Sequence, residues 1–310
     1  MTTSSTTLQA ETVTRPPESL WRKTFRSFLS QRSAIIGLVI VTLLALTAIF
    51  APQIAPYDPN RVLIGVENVK RRDPPCIHLL GCPADQPQHL LGIDGNVRDV
   101  FSRLVYGTRI SFTVGFFTVG LSMFFGVILG AVAGYLGGWV DNLIMRLLDV
   151  VLAFPSLILS IAIVTVLGPS LLNAMMAIAI VSIPAYARVL RASVLSAKQE
   201  EYVQAARTLG VQTWRVLFRH ILPNAITPLI VQATLGIGTA ILETAALSFL
   251  GLGAQPPTAE WGAMLSAERN QVFSAPHLVF FPGLAIMLNV LGFNLLGDGL
   301  RDALDPRLRR

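Results

Sequence analysis

The chain alternates long apolar stretches with short charged ones, and the apolar stretches are too long for the interior of a soluble domain. A helix crossing the hydrocarbon of a bilayer needs about 20 apolar residues, so windows without charge mark the candidates. Five stand out. Ser33 to Tyr57 is uncharged for 25 residues, with Ile35 to Phe50 as its apolar centre and Pro52 and Pro56 closing it. Ile110 to Val140 runs for 31, enough for one tilted helix ending near Gly134, Gly137 and Gly138. Val150 to Ala187 runs for 38, about right for two crossings, and Gly168-Pro169-Ser170 divides it as a turn. Ile221 to Leu242 and Leu278 to Gly297 add windows of 22 and 20. The pattern predicts an all-α polytopic membrane protein with six transmembrane helices. Its parts are a tail (1–32), a first transmembrane helix (33–55), an external loop (56–108), a five-helix core (109–297) containing a connection at 193–223, and a second tail (298–310).

Composition agrees and adds a direction. Hydrophobic residues make up 53% of the chain and charged ones 14%, against roughly 25% charged in an average soluble domain, which nearly excludes a soluble enzyme. The net charge is +6, and all but three of the 24 cations are Arg. Sorted by the predicted topology, 16 of them fall on the side of the two tails and 8 on the other. The positive-inside rule then places both tails and the fourth-to-fifth connection in the cytoplasm. The excess therefore reads as membrane topology, and no nucleic-acid partner is expected. A cleaved signal peptide is disfavoured by the 32-residue polar lead.

The external loop ends in Arg98 to Arg109, where Phe101, Leu104 and Val105 share one face, as in a short helix lying on the outer surface. Cys76 and Cys82 both lie in this loop. A disulfide and two free thiols are both compatible with their spacing. With His78 and His89 they match no standard zinc pattern, so no metal is expected.

Catalytic motifs are missing. There is no metalloprotease helix and no nucleophile elbow, and no lysine follows glycine as a P-loop requires. The chain is not expected to be an enzyme or to hold a cofactor. The unusual segment is Ser193 to Asn224, with Ala205 and Ala206 at its centre, Gly210 suited to end a helix, Thr213 suited to N-cap a second one, and Pro223 opening the fifth span. This punctuation predicts a helix-turn-helix on the cytoplasmic surface. Its small residues would let another protein's groove approach the backbone closely. A plain amphipathic loop on the bilayer would explain the Arg residues and Trp214, but not the punctuation.

The Ala205-Ala206-x3-Gly210 run followed by Leu222-Pro223 resembles the EAA loop of ABC-importer permeases, the coupling helix that sits in a cleft of the ATPase subunit. Three further stretches resemble one branch, the C-type permeases of dipeptide, oligopeptide, nickel and glutathione importers: Leu91 to Phe112, Leu247 to Leu265, and Asn294 to Arg309. The resemblance covers nearly everything after Ala34. It departs at Gln204, where the EAA pattern has an acid, and at Val97, where the family commonly has Gly.

What the resemblance implies is a type I ABC importer (MetI-like) transmembrane domain in a bacterial cytoplasmic (inner) membrane. It would pair with a sister permease, two cytoplasmic ATPase subunits that bind ATP and Mg, and an external solute-binding protein. ATPase coupling would fall to Glu201, Tyr202, Ala205, Ala206, Gly210, Leu222 and Pro223. The solute would be a di- or oligopeptide or glutathione, with nickel or another small solute as the alternative and an ATP-independent channel behind both. Glu243, the one acid in an apolar helix, stands near that helix's external end. It is read as lining the translocation path or outer gate, as pairing across the interface with the sister permease, or as only reaching the headgroup layer. The stretch Gly251 to Trp261 would cap the external mouth, with Trp261 as an interfacial anchor.

Overall fold

The computed structural model describes residues 27–304; the tail expectations for 1–26 and 305–310 lie outside the described residues. Helices of eight residues or more are α1 (Arg32–Ile49), α2 (Val100–Leu136), α3 (Gly138–Leu152), α4 (Ser156–Leu167), α5 (Leu171–Ala197), α6 (Glu201–Thr208), α7 (Thr227–Phe249), α8 (Trp261–Glu268) and α9 (His277–Leu304). Five of them, α1, α2, α5, α7 and α9, are long and apolar enough to cross a membrane. The sixth candidate crossing is a broken one, α3 and α4 meeting at 88°. At about 1.5 Å per residue neither piece reaches the roughly 30 Å of a hydrocarbon core. Gly137 and Gly138, at φ +68° and +57°, end α2 and turn the chain into α3. The expected turn at Gly168-Pro169-Ser170 is present, with the Ser170 hydroxyl accepting the Asn173 amide and the Asn173 side chain donating to the Leu167 and Gly168 carbonyls.

Helices α2 and α5 form the most extensive pair, α1 lies on α9, and α7 sits between α9, α2 and α5. Close approach of α2 to α5 follows from Gly126, Gly130 and Gly134, spaced four apart on one face. A Cβ at Gly130 would stand 2.5 Å from the Ala187 carbonyl oxygen, and one at Gly126 2.5 Å from the Tyr186 Cβ. Small residues at this spacing are how apolar helices associate in lipid, where no hydrophobic drive separates helix from acyl chain. Of the three glycines, Gly134 was expected only as a helix end; it also belongs to this seam.

Three bounds differ from expectation. The predicted surface helix before the second span is the first part of α2 itself, which runs on without a break. The fifth span begins at Thr227, not Ile221, because Pro223 opens only the short turn Leu222–Ala225 and Pro228 then supplies the N-terminal proline of α7. The sixth continues past Gly297 to Leu304, so the start of the expected polar tail is helical.

At one end of the bundle, residues 55–99 fold over the first turn of α2 as a cap. Cys76 and Cys82 are disulfide-bonded, their Cα atoms 5.4 Å apart. Asp99 is the N-cap of α2, its Oδ2 accepting the Ser102 amide and hydroxyl at 2.7 Å. Its Oδ1 lies 2.9 Å from Nδ1 of His89, and Glu67 Oε2 lies 3.1 Å from the ring's Nε2. Burial alone would lower the His89 pKa, but the hydrogen bonds and charges of Asp99 and Glu67 outweigh it and hold the ring above its ordinary 6.5. Arg103 is buried. Its guanidinium donates to the carbonyls of Pro59, Pro257 and Thr258, tying the cap to the loop before α8. Arg72 bonds Glu268 Oε2 at 2.8 Å across the same junction. Trp261 is also buried rather than interfacial. Its ring lies in the notch left by Gly107 and its Nε1 donates to the Leu104 carbonyl at 3.1 Å.

Candidate functional site

The other end of the bundle carries the segment with the unusual punctuation. Helix α5 ends at Ala197, and Lys198 Nζ donates to the Tyr135 carbonyl at 2.8 Å. The ammonium of Lys198 and the guanidinium of Arg207 each stand 5.5 Å from the Tyr135 ring centre, a cation–π arrangement that pins the segment to the last turn of α2. Within α6, Val203 and Ala206 face inward, with Val216 and Ile221 buried in the same platform, while Glu201, Tyr202 and Ala205 face out. Gly210 ends the helix at φ +75°, a conformation open to glycine at little cost, and the Val211 amide returns to the Ala206 carbonyl at 3.1 Å. The second helix starts with Gln212 rather than Thr213 as its N-cap, and no side chain caps it. Residues Val216–Ile221 widen to π-helical spacing before Leu222–Ala225.

Tyr202 closes the platform. Its hydroxyl donates to the His220 carbonyl at 3.3 Å and accepts the Asn224 side-chain amide at 3.0 Å, while that amide also reaches the His220 carbonyl. The fold thus brings Tyr202, Ala206, Leu222 and Pro223 into one compact unit, with Gly210 at its turn. The paired alanines divide: Ala205 is exposed, whereas Ala206 is packed within the chain. In the same segment, the apolar side chains of Leu209 (83% exposed), Trp214 (57%) and Phe218 (61%) stand open. Ion pairs near this end join α3 to α5, Arg191 with Asp141 at 2.5 Å and Arg188 with Asp149 at 2.6 Å. Among the described residues, every ion pair joins groups from the same expected face of the membrane.

Glu243 lies six residues inside the end of α7, about 9 Å by helical rise. Its Oε1 accepts the Ser156 hydroxyl at 2.9 Å, at the first residue of α4 and hence at the break in the third crossing. A cavity of about 280 Å³ opens beside Ser156, lined by Thr118, Ser182, Tyr186, Gln232 and Thr239 among others. These lining residues escaped the sequence reading. Their signal was the spacing of Gln232, Gly236, Thr239 and Glu243 at intervals of four, three and four, one face of a helix.

Comparisons with known proteins converge on one family. Residues 126–310 match the family described as "Binding-protein-dependent transport system inner membrane component", and residues 19–75 match the "N-terminal TM domain of oligopeptide transport permease C". The chain is 50% identical to the dipeptide transport system permease protein DppC of Alkalihalophilus pseudofirmus, over 95% of this chain and 94% of that one. It is 47% identical to the glutathione transport system permease protein GsiD of Pectobacterium atrosepticum, over 93% and 92%. Against solved structures, the MetNI methionine ABC transporter in an inward-facing conformation aligns with a TM-score of 0.50 and 19% identity, over 66% of this chain and 97% of that one, a likeness of fold. With its apolar helices, its family match and these relatives, the chain belongs to the binding-protein-dependent transport system inner membrane components, the multi-pass permease subunits of ABC transporters.

Proposed function

We propose that this permease carries small peptides, di- or oligopeptides or glutathione-like, into the cell. It lines the path together with a sister permease, receives solute from an external binding protein, and is driven by two cytoplasmic ATPase subunits that bind the ATP and Mg. Both termini and the α6 platform face the cytoplasm, in keeping with the distribution of cations. The observation that carries the coupling role is that apolar Leu209, Trp214 and Phe218, with small Ala205, stand exposed on a segment otherwise closed by its own packing. Exposed apolar side chains of this kind suit a protein groove. A rigid unit clamped to the ends of α2 and α5 transmits a push from that groove to the membrane helices as a body motion. The peptide reading rests on the dipeptide and glutathione relatives.

Changing Ala205 to Arg tests coupling without disturbing the chain's own core. The variant is expected to insert normally, to lose co-purification with the ATPase subunits and to lose uptake. Retained co-purification together with full uptake would show that the platform does not couple. For Ala206 a bulky charged side chain breaks the platform itself, so that variant reports on folding and not on docking.

A further inference from the structure

We infer that Glu243 and the polar face of α7 below it form a binding site for the free ammonium group of a peptide during passage, a proposal that rests on the peptide reading above. Gln232, Gly236, Thr239 and Glu243 lie along one face of α7, spanning about 16 Å by helical rise. All but Glu243 line the 280 Å³ cavity, and Glu243 is joined to its wall through the 2.9 Å bond from Ser156. The rest of the wall is uncharged: the hydroxyls of Thr118, Ser122, Ser182 and Tyr186 stand among apolar side chains such as Leu152 and Val181. Thr118 Oγ1 is buried there without a hydrogen-bond partner, and the Tyr186 hydroxyl comes so close to Gly236 that a Cβ at that position would collide with it. A buried hydroxyl left unpaired at a cavity wall is costly unless something transient satisfies it. Peptide amide groups, which every peptide presents regardless of side chain, are suited to do so.

The cavity continues. A second space of about 450 Å³ shares Gln232 and Leu235 with the first and has Arg301 in its wall. The polar order along the path is therefore carboxylate, then hydroxyls and an amide, then guanidinium. An unpaired carboxylate inside an apolar span is expensive; here its one bond comes from a neutral hydroxyl, leaving acceptor capacity for an ammonium group. A charge-assisted bond of that kind distinguishes a free amine from its absence and ignores the side chain.

The test uses the complete importer in proteoliposomes, its binding protein saturated in turn with a dipeptide and with the same compound lacking the α-amine. In the unaltered complex the dipeptide is carried faster. Glu243→Gln is expected to lower dipeptide uptake about tenfold, the scale of one hydrogen bond to a charged group, and to bring the two compounds to the same rate. Glu243→Asp, which keeps the carboxylate, retains the preference. Thr118→Val is expected to slow both compounds alike. An unchanged preference in Glu243→Gln overturns the ammonium site while the permease reading stands. Loss of the sister subunit on purification of that variant also overturns it, placing Glu243 in the interface. A complex that moves no dipeptide overturns both readings.

Discussion

The cap over the start of α2 and the platform under its end are built by opposite means. The cap is a polar lattice: a disulfide, a histidine between two carboxylates, and a buried arginine spread over three carbonyls. Its regular structure is slight, so buried hydrogen bonds and ion pairs take the place of helical packing. The platform is apolar packing, with Val203, Val216 and Ile221 continuous with the main core of the bundle, held by one tyrosine and two cations over a ring. A lattice of directed bonds has one arrangement and fails when a member is removed. An apolar core spreads its stabilisation over many small contacts and loses less when any one of them is removed.

Removing one member of the lattice is therefore expected to have the largest effect. Asp99→Ala strips the N-cap and leaves buried His89 with Glu67 as its only carboxylate partner, a loss of about 3 to 5 kcal/mol on the scale of breaking a buried pair. Hydrogen exchange should rise across residues 57–99 while the platform stays protected. Reducing Cys76–Cys82 costs about 2 kcal/mol in the chain-entropy account and is read by the same exchange in the cap alone. In the platform, Tyr202→Phe loses about 1 kcal/mol with its hydroxyl's bonds, and exchange should increase in α6 and not in the cap; equal loosening of both ends would erase the contrast drawn above.

The pH response separates the two regions further. His89 is held above 6.5 in the folded cap, so its contribution is fully present below that value and is lost as pH rises through the raised one. Exchange in residues 57–99 should increase over that rise, and His89→Gln should abolish the dependence. The smallest effect concerns Val97, at φ +58° with its side chain buried against Leu63 and Ile93. A β-branched residue there is strained by about 1 kcal/mol. Val97→Gly should be at least as stable as Val97→Ala, reversing the usual deficit of glycine of about 0.5 to 1 kcal/mol. Thermal unfolding of the two variants settles the order.

Much of the fold was legible because lipid imposes a simple rule: charge stays out of the hydrocarbon, so uncharged windows count crossings. That rule is silent on breaks inside an uncharged stretch. Val150 to Ala187 located the turn at Gly168 but concealed the right-angled join at Pro155, where α3, with Asp141 and Asp149 on it, meets the apolar α4. Gly126, Gly130 and Gly134 were visible as a spacing, yet only the neighbouring helix gives them meaning. Trp261 was misplaced because an amphipathic side chain is assigned to the interface until a distant segment, here Leu104 to Gly107 of α2, is seen to cover it. At the platform the turn at Gly210 was readable, whereas the division of Ala205 from Ala206 required the inward direction of α6.

Helix α2 has no proline between Val100 and Leu136, while α5 carries Pro184 and α9 carries Pro282 within their lengths. It is about 55 Å long; the cap grips its first turn through Asp99 and Arg103, and the platform its last through Tyr135. An unbroken helix held at both ends is stiff along its axis, and bending concentrates at prolines and breaks. Helix α2 is thus the stiff reference of the fold, and bending falls to the places that carry a proline or a break: α5, α9 and the α3–α4 elbow.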